Sequence, residues 1–204
     1  MRGRPRPKDT VRIMAFGKRK TSPRTYTEAQ LFDYAVGALG RQARTVAEIK
    51  RLMRTKLGQQ PEGEQLVEAV TLRLKEMRYL NDTIYATSYS ANRRDNEKFG
   101  KIRVVQELKA RGVHNDVIGK TVGEIYADVD ERKLARDFAA RKRLKAPADQ
   151  KQAARIFRMM ARAGFSSRVI SELLRNWKVE DETLAALEQE REMAESSPAA
   201  EEME

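Results

Sequence analysis

Apolar residues recur along most of this chain at intervals of three and four, the spacing that places them on one face of an α-helix. Polar residues typical of helix starts precede several of these runs, and the segments Thr27 to Gln30 and Thr45 to Glu48 both have the form of a capping box. No stretch alternates apolar and polar residues for long enough to form a strand. The pattern therefore predicts an all-α fold of short helices joined by short loops.

The apolar pattern is repeated along the chain. In the middle, Tyr85-Ala86 lies on one helix, Val104 and Leu108 lie on the next, and Gly112 ends that helix. Equivalent sets occur 51–55 residues earlier and 52–53 residues later: Tyr34-Ala35 with Ile49 and Met53, and Phe138-Ala139 with Ile156, Met160 and Gly164. These offsets differ by about one helical turn, as expected if only loops change length. We therefore expect three tandem three-helix repeats, at approximately residues 27–78, 79–129 and 130–178.

The formal net charge of +11 is unevenly distributed over the 204 residues. Residues 1–24 carry nine Lys or Arg and one Asp, whereas residues 180–204 carry ten Asp or Glu and one Arg. We therefore expect a disordered basic tail over residues 1–26 and a disordered acidic tail over residues 179–204, with the pattern of a short amphipathic helix at 183–195. A basic body of this kind predicts a polyanionic partner, or a partner that is bound to one.

Residues that would indicate an enzyme are sparse. His114 is the one histidine and is typical of a solvated loop residue. Gly119-Lys120-Thr121 lacks the leading glycine and the preceding strand of a phosphate-binding loop. Asp128 and Asp130 resemble the start of a calcium loop but lack its glycine and its closing Glu. We predict a protein that is not an enzyme, with no catalytic or metal-binding residue and no cofactor.

The composition also bears on location. No cysteine is present, which agrees with a reducing compartment. No apolar run is long enough to span a bilayer, and the N-terminus lacks the apolar segment of a secretory signal. We expect a cytoplasmic protein without membrane contact.

Basic side chains are concentrated on the second and third repeats. The candidate contacts to DNA or to a partner protein are Arg93, Arg94, Lys98, Lys101, Arg103, Lys109, Arg111, Arg141, Arg143, Arg155 and Arg158. Guanidinium groups bind phosphate and carboxylate oxygens through paired donors, so this surface suits either partner. The alternative is a solvated helical surface, because Lys and Arg are good helix formers. We expect Arg93, Lys101 and Arg103 to tolerate replacement by Glu without unfolding of the protein.

The basic tail begins with a segment that resembles the core of an AT-hook, formed by Arg2, Gly3, Arg4, Pro5 and Arg6. An extended Arg-Gly-Arg segment of this kind lies in the narrow minor groove of A·T-rich duplex DNA. The alternative is a tail that binds phosphates without regard to sequence.

Three segments together resemble the RecX family of recombinase regulators: LNDTIYATSYSANRR, GKIRVVQELKARGV and GFSSRVISELL. The resemblance covers roughly residues 27–178 and excludes the two charged tails. It is most specific in the middle repeat, where these residues follow the family's order: Leu80-Asn81-Asp82, Tyr85-Ala86, Arg93, Gly100, Glu107-Leu108 and Gly112. It implies tandem three-helix repeats in an elongated, slightly curved molecule.

The resemblance also implies a function. A RecX-like protein is expected to bind the RecA–single-stranded-DNA filament in its helical groove and to limit the ATPase, strand-exchange and coprotease activities of RecA, which regulates DNA repair. We expect a monomer that contacts RecA and single-stranded DNA, and duplex DNA through the basic tail. Two alternatives stay open: a helical protein that binds DNA directly without RecA, with residues 149–163 and 166–177 as a helix-turn-helix, and a passive scaffold for another protein.

Overall fold

The computed structural model describes residues 25–195, which form ten α-helices and no β-strand. The helices are α1 Glu28–Arg41, α2 Val46–Leu57, α3 Gly63–Glu76, α4 Asp82–Asp95, α5 Lys101–Ala110, α6 Asn115–Ile125, α7 Glu131–Arg141, α8 Gln150–Arg162, α9 Ser167–Asn176 and α10 Asp181–Glu195. Helices α1–α3, α4–α6 and α7–α9 pack in groups of three, which we call repeats 1, 2 and 3. The predicted all-α repeat fold is confirmed. None of these helices is both long and apolar enough to cross a membrane.

Most helices begin at the polar residues that the sequence indicated. Both capping boxes form, with the Thr27 and Thr45 hydroxyls each accepting a hydrogen bond from the backbone three residues on. Helix α6 begins after His114, which was expected to be a solvated loop residue and is the N-cap of this helix. The Nδ1 atom of His114 accepts a hydrogen bond from the Asp116 backbone N–H at 3.4 Å. The single histidine therefore ends a loop and starts a helix, with its side chain largely in solvent.

The buried side chains form two separate cores. One core fills repeat 1 and is built around Leu31, Ile49 and Met53. The other runs without interruption through repeats 2 and 3 and is built around residues such as Leu108 and Phe157. In all three repeats the alanine of the aromatic-alanine pair is buried, as the periodicity predicted. Repeats 2 and 3 thus share their hydrophobic interior, whereas repeat 1 has its own.

The three middle helices α2, α5 and α8 meet head to tail. Where repeats 2 and 3 join, the N-cap residue of α5 contacts the C-cap residue of α8: the Gly100 backbone N–H donates to the Ala163 carbonyl at 2.8 Å. The Arg103 guanidinium adds a hydrogen bond to the Arg162 carbonyl at 3.2 Å. The positive end of one helix dipole therefore faces the negative end of the next.

Repeats 1 and 2 join through the same two helix positions. The N-cap residue of α2, Thr45, donates from its hydroxyl to the carbonyl of Arg111, the C-cap residue of α5, at 2.7 Å. The Arg111 guanidinium then binds Glu48 Oε1 at 2.8 Å. The joints use equivalent positions, but the hydrogen bonds between repeats 1 and 2 described here come from polar side chains.

The joint between repeats 2 and 3 brings backbone against backbone. A methyl group at Gly100 would lie 2.1 Å from the carbonyl oxygen of Gly164, closer than any real contact. Gly164 itself has φ of +89°, a conformation that favours glycine. The rings of Phe99, Phe138 and Phe165 pack behind this contact. The ring centroid of Phe138 lies 6.2 Å from that of Phe99 and 5.5 Å from that of Phe165. Close approach of the two backbones is what lets the aromatic rings of different repeats touch.

The C-terminal acidic segment differs from the expected disordered tail over residues 179–204. Asp181–Glu195 forms helix α10, in agreement with the amphipathic pattern at 183–195. Its Leu184 and Leu187 are buried in the core of repeats 2 and 3, and its charged residues pair with α8 and α9. Apolar burial on repeat 3 stabilises a helix that its acidic composition alone would not.

Replacement of Gly100 by Ala tests the backbone contact. We expect a loss of more than about 2 kcal/mol in the free energy of unfolding, because the added methyl group forces the two repeats apart. Urea unfolding measures the effect. The matched control is Gly119→Ala in α6, where an added methyl meets nothing within 4 Å. That control is expected to stabilise by up to about 1 kcal/mol, and equal effects of the two replacements would contradict the proposed contact.

Candidate nucleic-acid and partner interface

Glu107 in α5 organises the basic side chains of repeat 2. Its Oε2 accepts a hydrogen bond from the Tyr89 hydroxyl at 2.7 Å, and its Oε1 accepts one from Arg103 Nε at 2.9 Å. Arg93 Nε lies 3.1 Å from Oε2, and Arg93 Nη2 donates to the Tyr89 hydroxyl at 2.9 Å. One carboxylate therefore holds two guanidinium groups and a phenol in fixed positions.

Burial tends to raise the pKa of Glu107, but the hydrogen bonds from Tyr89 and Arg103 and the charge of Arg93 hold that pKa below its ordinary value. Glu107 is therefore ionised at neutral pH. Two positive charges surround one negative charge, so the cluster keeps a net positive charge while its members are ordered.

The loop between α4 and α5 is held by aromatic contacts as well. The Arg103 guanidinium lies 3.9 Å from the centroid of the Phe99 ring, within the range of a cation–π interaction. The Tyr126 hydroxyl donates to the Phe99 carbonyl at 2.8 Å, and burial raises the pKa of Tyr126 to about 12. Tyr126 thus remains a neutral donor, and its hydrogen bond anchors the loop to the end of α6.

Six of the eleven basic residues selected from the sequence have acidic partners in the structure: Arg93, Arg94, Arg103, Arg111, Arg141 and Arg158. The expectation that Arg93 and Arg103 tolerate replacement by Glu is not supported by their contacts. Either replacement would set a second carboxylate against Glu107, and it would remove the stacking on Phe99. We therefore expect these two arginines to contribute to the stability of the fold.

The other five selected residues, Lys98, Lys101, Lys109, Arg143 and Arg155, have no ion pair within residues 25–195. Three of them flank, along the chain, an ion pair that joins repeats 2 and 3. Arg141 Nη2 lies 3.0 Å from Glu97, which connects the α4–α5 loop, where Lys98 and Lys101 follow Glu97, to the end of α7, which Arg143 follows. We call these three residues, with the neighbouring Lys142 and Lys145, the basic joint. Lys109 and Arg155 lie on the exposed surfaces of α5 and α8.

Two cations of the basic joint occupy strained backbone positions. Lys98 has φ of +58° and Arg143 has φ of +52°, both in the left-handed region that favours glycine. A residue with a side chain pays roughly 1–2 kcal/mol there. Both follow the end of a helix, where a positive charge interacts favourably with the helix dipole.

The aromatic residues of repeat 2 are used within the fold. Tyr85 and Tyr89 stack on each other, with centroids 5.8 Å apart and an angle of 15° between the rings. Arg93 and Arg111 lie 4.8 and 5.0 Å from the Tyr89 ring centroid. Phe138 is buried in the core. These rings are therefore engaged by contacts within the protein.

The AT-hook-like segment Arg2 to Arg6 lies outside the residues that the structure describes. No cluster of His, Cys, Asp or Glu within the described range 25–195 has the arrangement of a metal site.

Replacement of Glu107 by Gln should lower the free energy of unfolding at neutral pH by about 1–3 kcal/mol, because two guanidinium groups lose their counter-charge. Since the pKa of Glu107 is lower in the folded than in the unfolded protein, its contribution is present above the ordinary Glu pKa of about 4.3. It is lost as pH falls through the folded pKa.

Urea unfolding at a series of pH values checks this. The stability difference between wild type and Glu107→Gln should shrink as pH falls from neutrality towards 3. Glu124→Gln, on the exposed surface of α6, is the matched control and should change stability little at any pH. A difference that stays constant with pH would rule out the charge of Glu107 as its cause.

Comparison with known proteins agrees with this geometry. The family model for the second three-helix domain of RecX matches residues 81–121, which run from the cap of α4 into α6. Two solved structures have the same fold, a regulatory protein RecX with a TM-score of 0.59 and RecX from Lactobacillus salivarius with a TM-score of 0.55. The first is 21% identical to this chain, and the match covers 73% of this chain and 71% of that protein. The second is 19% identical, and the match covers 74% of this chain and 96% of that protein.

Relatives with similar sequences also support membership of this family. The regulatory protein RecX of Trichlorobacter lovleyi is 33% identical over 132 residues, which cover 63% of this chain and 83% of that protein. The regulatory protein RecX of Deinococcus radiodurans is 32% identical over 154 residues, which cover 74% of this chain and 71% of the relative. With the tandem three-helix repeats and the shared motifs of repeat 2, these matches establish that the chain belongs to the RecX family of regulatory proteins.

Proposed function

We propose that this RecX-family protein binds RecA–single-stranded-DNA filaments in the filament groove and mainly inhibits the ATPase, recombinase and coprotease activities of RecA. The observation that supports this most is the match over most of the length of relatives that are themselves named regulatory protein RecX. The protein acts by binding, in the cytoplasm, as a monomer and without a cofactor. It regulates DNA repair and recombination through RecA.

The mechanism uses repeats held in a fixed order. Repeats 1 to 3 contact neighbouring RecA subunits, and the basic joint approaches the DNA backbone. Several weak contacts on one ordered array gain from a high effective concentration once the first has formed. The unpaired cations Lys98, Lys101 and Arg143 supply the part of the binding free energy that depends on salt, whereas Arg93 and Arg103 position the loop that carries Lys98 and Lys101.

The second candidate function is direct DNA binding without RecA, which the basic joint also favours. A helix-turn-helix made by α8 and α9 is poorly equipped for it, because α9 buries Ile170, Leu173 and Leu174. Of its two exposed arginines, Arg175 is paired with Asp181 at 2.7 Å. Such a protein would bind phosphates more readily than base edges.

Hydrolysis of ATP by RecA on single-stranded DNA is the first test. Wild-type protein should inhibit it strongly at well below one molecule per RecA, because capping or destabilising a filament affects many subunits. An effect that appears only when the protein is abundant enough to coat the DNA would favour the second candidate. No effect at any ratio would reject regulation of this RecA activity.

Neutralising the basic joint tests the contact to DNA. The triple variant Lys98→Gln, Lys101→Gln and Arg143→Gln should bind filaments more weakly at low salt. The slope of log K against log salt should become shallower by up to about 2, at about 0.7 per phosphate contact for three cations on a single strand.

The matched control loses the same charge elsewhere. It carries Lys120→Gln, Lys133→Gln and Lys151→Gln, three exposed residues without ion pairs within the described part of the chain. Fluorescence anisotropy across a salt series gives both slopes. If the two triple variants have the same slope, the basic joint does not contact phosphates.

A further inference from the structure

A groove with a volume of about 750 Å³ opens between repeats 1 and 2. Its walls come from the end of α1, the α3–α4 loop, the first turns of α4 and the C-terminal end of α5. It lies on the joint between the two repeats and is distinct from the basic joint, which lies between repeats 2 and 3. Neither Glu107 nor any cation of the basic joint lines it.

The groove exposes bulky apolar side chains. Helical spacing assigns Ile84 to the apolar face of α4, but its side chain is 65% exposed and lines the groove. Tyr79 in the α3–α4 loop is 49% exposed, and Val36 and Leu39 of α1 form the opposite wall. An exposed apolar patch enclosed by polar groups is typical of a protein interaction site.

The charges at the groove are cationic and partly unsatisfied. Its lining includes Arg44, Arg78 and Arg111 but no Asp or Glu from the described part of the chain. Arg111 is compensated by Glu48. Arg44 and Arg78 have no ion pair within residues 25–195, and the Nε atom of Arg44 is buried without a hydrogen-bond partner. A buried guanidinium donor of this kind is stabilised when a carboxylate accepts its hydrogen bond.

The aromatic rings favour a peptide over a nucleic acid. Single-stranded nucleic acid binds in grooves where aromatic faces are open for base stacking. Of the three tyrosines that line this groove, Tyr85 and Tyr89 stack on each other, and Tyr79 meets the ring of Phe32 edge-on. A branched aliphatic side chain such as Ile84 offers no flat surface for a base. The apolar lining and the free arginines together match a segment that carries both an apolar side chain and carboxylates.

We propose that the groove between repeats 1 and 2 docks an acidic segment of the partner protein, with an aliphatic or aromatic side chain beside Tyr79 and Ile84 and carboxylates facing Arg44 and Arg78. This proposal rests on the proposed function, because the partner is taken to be RecA in its filament. The groove gives affinity for protein, and the basic joint gives affinity for DNA. The two contacts are therefore separable by mutation.

The test compares groove variants with variants of equal chemistry elsewhere. The charge variant is Arg44→Gln with Arg78→Gln, and its control is Arg51→Gln with Arg136→Gln, two exposed arginines without ion pairs within residues 25–195. The apolar variant is Ile84→Ser, and its control is Leu72→Ser, at a position that is 60% exposed in α3. Thermal unfolding of all four establishes that each is folded.

Binding is measured to RecA filaments on a labelled thymidine oligonucleotide, and to the same oligonucleotide without RecA. Both groove variants should bind filaments at least tenfold more weakly than their controls, with equal affinity for the bare oligonucleotide. Equal filament binding by groove variants and controls would overturn the groove proposal and leave the proposed function standing. A parallel loss on the bare oligonucleotide would identify the occupant as nucleic acid. Absence of filament binding by the wild type would overturn the proposed function and this proposal together.

Photo-crosslinking identifies the occupant directly. Full-length protein with benzoylphenylalanine in place of Ile84 is irradiated on RecA filaments, and the crosslinked peptides are identified by mass spectrometry. An acidic RecA segment is the expected product, with much less product when the probe replaces Leu72. Crosslinks to the oligonucleotide, or to residues 196–204 of the same chain, would overturn the proposal.

Discussion

The contact between Gly100 and Gly164 sets the distance between repeats 2 and 3. No side chain separates the two backbones there, so the N-terminal end of α5 can bind the C-terminal end of α8 directly. Phe99 precedes Gly100 and Phe165 follows Gly164, and the close approach places both rings against Phe138 in one core. A larger residue at either glycine would separate the aromatic rings, so the shared interior of these repeats depends on two positions without a β-carbon.

The same contact determines where positive charge is displayed. Because Gly100 is the N-cap of α5, Arg103 in the first turn lies within reach of the Arg162 carbonyl, the Phe99 ring and Glu107 at once. Arginines that are paired in this way within the protein are less available to bind an external anion. Of the eleven basic residues selected from the sequence, five have no ion pair within residues 25–195, and three of these five flank the joint along the chain. In a protein with a large excess of positive charge, the position and the ion pairing of a basic residue thus indicate better than its charge alone whether it is available to bind an anion.

Much of the fold could be predicted from the sequence, because helix starts and apolar faces are local properties. The capping boxes at Thr27 and Thr45 and the left-handed cap at Gly112 are examples. Contacts between repeats were not predictable, since nothing local to Thr45 shows that its hydroxyl binds the Arg111 carbonyl. For the same reason, sequence reasoning grouped paired and unpaired arginines together.

The groove between repeats 1 and 2 could not be predicted from local sequence patterns either. Ile84 has the spacing of a buried residue, and Arg44 stands directly before a helix cap without any distinguishing pattern. Both became candidates only when the fold placed α1, α4 and the α3–α4 loop around one cavity. The amphipathic pattern of residues 183–195 predicted a helix, and helix α10 forms there. The sequence did not predict that this helix packs on α8 and α9.

Repeat 1 has its own hydrophobic core, whereas repeats 2 and 3 share one, so the two joints differ in what separates when they open. Polar contacts join repeat 1 to repeat 2: the Thr45 hydroxyl to the Arg111 carbonyl, Arg111 to Glu48, and the Val46 N–H to the Asp82 carboxylate at 2.9 Å. Breaking these contacts exposes groups that water can satisfy, whereas parting repeats 2 and 3 would expose a continuous apolar interior. The described part of the chain therefore has two hydrophobic cores of unequal size, one in a single repeat and one in a fused pair, and opening the joint between them would expose less of that apolar interior than dividing the pair.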